Sequence, residues 1–435
     1  TTDICGQEGS HAVRMDREAI EAIKKARLHR KVAASIFFES NGGMMKAEAT
    51  IPELRLAVGT PDLDIGNVET VLESLVDSCY FLSIERNAYR FSIRPNLNKL
   101  LSDRRASIKP REIADRVREE IKRVFGRDAS SASMEVKFFP EKSNDIPDRP
   151  ILEFCVLSPE HSMDDSARTR AMVKDITWQS GKSGRTFKSA LIWSVADSAA
   201  PLNDEARKLL AWEQIKDQAE ELRIDDSQKL QLDTQLKRAK RDLEEAVWRS
   251  YKNVMLLGTD NEIRVVDLGL VNSSQAASIL EVVLKTLRTE GTVEKNISPA
   301  WLIRKWPGMT EWSIKAVRDA FYASPLFPRL LEVNAVKEMI AKGVREGLLA
   351  YVGKDAGGHY KPFRFREDLR PDEIEITDDM FIITGETAQK HIEPPKLSVI
   401  RIRPNQVQVV VGESYRFGIE AMDQHGRSMP VDGLE

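Results

Sequence analysis

FKSALIWSVADSAAPLNDEARKLLAWEQI, from Phe187 to Ile215, is the stretch whose reading decides the fold. Ala190-Leu191-Ile192-Trp193 and Val195-Ala196 form a short apolar run with only Ser194 inside it, which suits a strand buried on both faces. Asp197 ends the run and Ser198 to Pro201 break it. Asn203 is placed to cap a helix opening at Asp204-Glu205, with acids where the helix dipole favours them. The chain before this stretch builds towards a sheet, and the chain after it hangs from a long helix.

Upstream, Arg111–Phe125 reads as a helix, Glu135–Phe139 and Ile151–Leu157 as strands, and Asp164 or Asp165 as the cap of a helix ending near Trp178. Helices alternating with strands predict a small α/β sheet domain over 107–202. Downstream, Trp212, Ile215, Ala219 and Leu222 keep a spacing of three and four, as do Leu232, Leu236, Ala239 and Leu243. The phase breaks between the two sets, so 203–255 is expected to be a helical hairpin or a kinked long helix.

Before the sheet, residues 1–15 are polar and unpatterned and read as an extension. Over 16–106 a helix (16–39), two shorter helices and a hairpin turning at Glu85-Arg86-Asn87 predict a winged helix. Its third helix exposes Asp64, Glu69 and Glu73, and acids there oppose phosphate. The wing arginines Arg86, Arg90 and Arg94, with Arg104 and Arg105 of the basic connector, are the candidate backbone or partner contacts. From Ile84 to Arg127 thirteen Arg/Lys face six Asp/Glu.

After the hairpin, 256–366 reads as a second winged-helix-like unit, with Thr310 capping a helix that exposes Lys315 and Arg318, and a wing around Asp355–Gly358. Trp301, Trp306 and Trp312 lie close by; core packing is the default for such rings, and stacking on nucleic acid is the sharper alternative. Residues 367–396 are acidic and read as a linker. Strands at 397–403, 407–411 and 415–421 predict a truncated β-sandwich over 397–435. The whole is a multidomain α+β and α/β chain.

Composition narrows the function. Among 435 residues, 41% are hydrophobic, 31% charged, and the net charge is −3, which excludes a globally basic nucleic-acid binder. Cys5, Cys79 and Cys155 show no ligand or disulfide spacing and fit a reducing, cytoplasmic setting. No apolar run is long enough to span a membrane.

Chemistry is harder to find. Gly181-Lys182-Ser183 invites a phosphate loop, but Ile176 stands where that motif needs its first Gly. The element order is also wrong, because Gly181 follows a helix and precedes a strand. Lys182 and Arg185 then read as a solvated turn, or as a hold on an acidic partner. The six histidines form no zinc motif and there is no GxSxG elbow. No catalytic, cofactor or metal residue is assigned. Asp197 reads as a turn residue rather than a magnesium ligand.

KVAASIFFESNGGMMKAEATIPELRLAVGTPDLDIGNVETVLESL, YRFSIRPNLNKLL and the Phe187–Ile215 stretch together resemble the C-terminal half of large AAA+-type ATPases encoded beside phage-defence genes. The likeness covers about residues 20–355. IRIRPNQVQVVVGESYRFGIEAMDQHGRSMPVDG resembles the opening half of bacterial immunoglobulin-like domains. The resemblance implies a nucleotide-binding core before Thr1, with ATP and magnesium bound there and not in this chain. This chain would be the non-catalytic region coupling that core to a protein partner or to DNA, and it could assemble into an oligomer. Two rivals stay open: a freestanding winged-helix DNA-binding scaffold, and a metal-dependent nuclease in the α/β domain.

Overall fold

Apolar residues close a first core from the very start of the chain. The computed structural model describes residues 2–41, 47–85, 87–92, 95–126, 134–392, 396–423 and 428–430. Residues 2–10 are not a loose extension. Ile4 and Ala12 bury with Val32, Ile36, Leu72 and Leu75 in one cluster. The helix expected over 16–39 is three: α1 (His11–Glu18), α2 (Glu21–Ala26) and α3 (Leu28–Asn41). Extended backbone at Ala19 and Ile20 makes the first break, and Arg27, left-handed at φ 53°, makes the second. β1 (Ala49–Thr50), α4 (Ile51–Val58), α5 (Asn67–Ser78), β2 (Leu82–Glu85) and β3 (Ala88–Phe91) follow. The strands make an antiparallel sheet in the order β1-β3-β2.

Next comes α6 (Leu97–Ser107), whose N-terminal amides at Asn98 and Lys99 donate to the Asn96 side chain. Its Leu100 leaves the first core and enters a much larger one, which runs on to Ile382.

At the centre of that core lies a five-stranded sheet. α7 (Pro110–Gly126), β4 (Glu135–Phe138), β5 (Glu153–Val156) and α8 (Ser166–Trp178) lead to a two-stranded turn, β6 (Gln179–Ser180) with β7 (Ser183–Gly184). Then come β8 (Leu191–Val195), α9 (Ala200–Asp217), α10 (Asp226–Ser250), β9 (Asn253–Leu257) and β10 (Ile263–Asp267). The order is β10-β9-β8-β5-β4, with β4, β5 and β8 parallel and β9 and β10 antiparallel. β8 is the middle strand, and every residue in it is buried.

Alternation along the strands divides the two faces. Phe154, Val156, Ile192, Val254 and Leu256 join the cluster under α7, α9 and α10. Cys155, Leu157, Leu191, Trp193 and Met255 join a second cluster with Val173 and Ile176 of α8. Helices on both sides explain why β8 is apolar at every position but Ser194 rather than alternating. Asn203 is not a cap, because α9 opens at Ala200 with Pro201 in its first turn, where a missing N–H costs nothing. α9 and α10 are an antiparallel pair, registered by Lys208 to Asp242 at 2.9 Å and Lys216 to Asp233 at 2.8 Å. β9 falls where only helix was expected.

The same large core continues through α11 (Ile279–Thr289), β11 (Val293–Glu294), α12 (Pro299–Arg304), β12 (Trp312–Ser313), α13 (Ile314–Ala323), β13 (Arg329–Leu330) and α14 (Ala335–Arg345). Ser313, not Thr310, caps α13 by accepting from Ala316 N. β14 (Leu349–Lys354) and β15 (Tyr360–Arg364) form the expected hairpin. The acidic segment is not a linker. It supplies β16 (Met380–Thr384), which lies between β12 and β14, and then α15 (Gly385–Ile392). Leu369, Ile374 and Ile382 anchor it in the large core. A Cβ on Gly385 would meet the Gly347 carbonyl oxygen at 2.1 Å, so only glycine fits that crossing.

β17 (Leu397–Arg403), β18 (Gly418–Asp423) and β19 (Ser428–Met429) form a small antiparallel sheet. Residues 404–417 form no strand, contrary to the reading of 407–411. Val399, Ile400 and Ile402 remain exposed on it.

Candidate functional site

A groove of 1120 Å³ opens where the first unit meets the turn between α9 and α10. One wall is the β2–β3 hairpin and the end of α3, with Phe37, Phe81 and Arg90; the other is Glu221–Arg223. Two aromatic rings face solvent there, Phe37 at 38% and Phe81 at 42% exposure. Large rings of that exposure beside arginine are what contact surfaces use. The walls are fixed relative to each other, because Gln228 Nε2 donates to Pro95 O at 2.8 Å and Arg104 donates to Gln218 Oε1.

The residues singled out in the sequence do not converge. Arg86 and Arg94 lie outside the described residues. Arg90 is exposed on β3 and lines the groove. Arg104 is engaged by Gln218, and Arg105 is half-buried on α6. Lys315 pairs with Asp378 at 2.6 Å and Arg318 with its neighbour Asp319 at 2.6 Å, so neither is a bare cation. Trp301 and Trp312 belong to a ring cluster around Phe327, at centroid separations of 5.5 and 6.2 Å, and Trp306 packs on Trp312 at 5.6 Å. These rings serve the core.

The phosphate-loop lookalike is the tip of the β6–β7 turn, with Gly181 at φ 63°. Arg185 is not solvated. It is buried and donates to four carbonyls, those of Ile176, Pro147, Ser143 and Ile146. It therefore organises the 143–147 loop instead of holding a partner, and burial pushes its guanidinium down from the ordinary value. Asp197 meets Lys252 at 3.2 Å and the Asn253 amide at 3.3 Å. Among the described residues it has no companion ligands for a metal.

One constellation imitates a nucleophile site. Ser74 Oγ lies 3.1 Å from His29 Nε2, and His29 Nδ1 lies 3.2 Å from Asp16 Oδ1. Yet Ser74 is in mid-helix, its hydroxyl donates to Val71 O at 2.9 Å, and helical backbone leaves no N–H for an oxyanion. The cluster is a strut joining α1, α3 and α5. Burial alone would raise the Asp16 carboxyl. Hydrogen bonds from His29 and Arg30, side chain and backbone, outweigh it and hold the group below its ordinary value. A carboxyl depressed on folding stabilises above its unfolded value, and that gain is lost as pH falls through the lower folded value. The first unit is therefore expected to lose stability below about pH 4, the usual carboxylate range. Asp16→Asn should flatten that acid limb and cost about 2–3 kcal/mol at neutral pH, as read by urea denaturation at stepped pH.

A second cleft, of 880 Å³, lies between the β9–β10 turn and α12. Arg264 pairs with Glu290 at 2.6 Å on its wall, and Arg329 lines its floor. No family model, no curated protein and no solved structure matches this chain. No helix among the described residues is long and apolar enough to cross a membrane.

Proposed function

We propose that this chain is a non-catalytic coupling region of an ATPase acting in phage defence or DNA transactions, with the groove beside Phe81 as its docking face. In this reading residues 16–106 and 256–366 are winged-helix units turned to protein contact, and the tail is part of an immunoglobulin-like sheet. The observation that carries it is the groove itself: exposed Phe37 and Phe81 beside Arg90, on walls locked by the α9–α10 turn. Such a face suits a protein surface with an apolar anchor and an acidic rim. Continuity of the large core from Leu100 to Ile382 supports a stiff body able to carry motion from that face.

The charge distribution favours protein over duplex DNA. Asp64, just before α5, and Glu73 on it are exposed, and Glu69 of α5 is paired with Arg55. Lys315 and Arg318 are taken by carboxylates.

The test starts with the reading frame upstream of Thr1. A phosphate-loop segment there, made separately, is expected to bind this chain. Phe81→Ala should weaken that binding by about ten-fold or more, as for a buried aromatic anchor, read by calorimetry. A frame opening with an initiator Met immediately before Thr1 overturns the reading. Fluorescence anisotropy with duplex DNA at low salt covers the scaffold alternative: affinity tighter than about 1 µM, abolished by Arg90→Ala, would replace the coupling role with a DNA-binding one.

A further inference from the structure

Sequence spacing shows no metal ligands, because the relevant side chains come from three separate places. The N-terminal arm folds back so that His11 N donates to Thr2 O at 2.9 Å and Ala12 N to Asp3 O at 3.0 Å. This sets Asp3 beside His11 at the start of α1. Cys79, the residue after α5, arrives from the other side and is fully buried. One carboxylate oxygen of Asp3, Nδ1 of His11 and Sγ of Cys79 all lie within 4.8 Å of one another.

Hydrogen bonding accounts for only part of the cluster: Cys79 Sγ donates to the Asp3 carbonyl at 3.8 Å. Asp3 is 3% exposed, and its Oδ2 is satisfied by Phe81 N at 2.8 Å. Its Oδ1 is buried and makes no hydrogen bond, and neither does the buried Nδ1 of His11. The two atoms stand 3.1 Å apart, an ion pair when His11 is protonated, but with no hydrogen bond between them. Leaving two buried polar atoms unsatisfied is costly, and such exceptions call for a cause. Neighbouring ligands on one tetrahedral ion, each about 2.0–2.1 Å from it, take up a comparable separation without pointing at each other.

We propose that Asp3, His11 and Cys79 bind a zinc-class divalent ion through carboxylate, imidazole and thiolate. The donor set selects the metal: magnesium and calcium take oxygen ligands, whereas sulfur with imidazole suits zinc. Three protein ligands leave the fourth tetrahedral position for a water. Phe81 N, by holding Oδ2, orients the carboxylate from outside the ligand set. Binding sends the Cys79 thiol proton to solvent, and the ion then staples the arm, the start of α1 and the end of α5 together.

The experiment uses the full chain without a histidine tag, stripped with chelator, loaded with zinc and dialysed. About one zinc per chain is expected by mass spectrometry. Cobalt loading should give a tetrahedral visible spectrum with a thiolate charge-transfer band. Cys79→Ser should abolish that band and Cys155→Ala should leave it. His11→Ala and Asp3→Asn should each weaken zinc binding by about ten-fold or more. Zinc should also raise the melting temperature of the wild-type chain and not that of His11→Ala. A wild-type chain that keeps no zinc after dialysis and gives an octahedral cobalt spectrum overturns the site, and that result needs no variant to fold. A charge-transfer band that survives Cys79→Ser overturns it equally.

Discussion

Replacing Arg329 by alanine is expected to destabilise the block from α7 to β16 by about 3–5 kcal/mol, from the cavity left by a large buried side chain and two carbonyls stripped of their donors. The guanidinium is 2% exposed. Its Nε donates to Ser189 O and its Nη2 to Leu257 O, both at 2.7 Å. Those carbonyls belong to the segments entering β8 and ending β9, while Arg329 opens β13, so one side chain clamps the C-terminal elements onto the sheet. Burial, with Arg264 nearby, pushes the guanidinium down to about 10, still far above neutrality, so it is cationic in use. Removing it strands two buried carbonyls and opens a cavity. Arg329→Met fills most of the space and should recover part of the loss, leaving about 2 kcal/mol from the unpaired carbonyls. Denaturant midpoints for wild type, Arg329→Ala and Arg329→Met check the ranking. Equal midpoints for all three would show that the clamp carries no net stability.

Trp193→Ala should match that loss from the middle of the sheet. Trp193 is fully buried on β8 and packs in the cluster under α8. Its Nε1 donates to Thr177 Oγ1 at 3.2 Å, joining the strand to the end of α8. Deleting the indole costs about 3–5 kcal/mol through the cavity. Trp193→Phe should cost about 1–2 kcal/mol, chiefly the lost hydrogen bond. Amide exchange should locate the effect: protection falls first in β5, β8 and β9, while the first unit, which has its own core, is unchanged.

The strand that carries Trp193 is readable because burial on both faces leaves a direct mark, an apolar run interrupted only by Ser194. The antiparallel α9–α10 pair was one of two alternatives and needed only the phase break after Leu222 to be considered. Elsewhere local signals misled. β9 follows α10 after only Tyr251-Lys252, and NVMLL has too few residues for periodicity to separate strand from helix. Asn203 looks like a cap, but Pro201 starts the helix earlier. The apolar residues of 369–384 are hidden among acids, so composition suggested a linker. Arg185 shows the limit most plainly: four carbonyls from two other segments satisfy it, and nothing in its own neighbourhood announces that. The candidate site was the least legible part. Of its residues only Arg90 stood out in the sequence, and the groove needs the α9–α10 turn, more than a hundred residues further along the chain. The Asp3, His11 and Cys79 cluster is non-local in the same way.

β16 sits between β12 and β14, and this has a consequence for biosynthesis. Among the described residues β12 pairs with no other strand, so its ladder waits from Ser313 until Met380 has left the ribosome. During that interval the β14–β15 hairpin can form, but one edge of β14 stays unpaired. At about 5–20 residues per second, the nascent chain carries an open edge for several seconds before the last strand closes it. A chain released anywhere between those points would keep that edge permanently, and it is there that chaperone engagement or misassembly would begin.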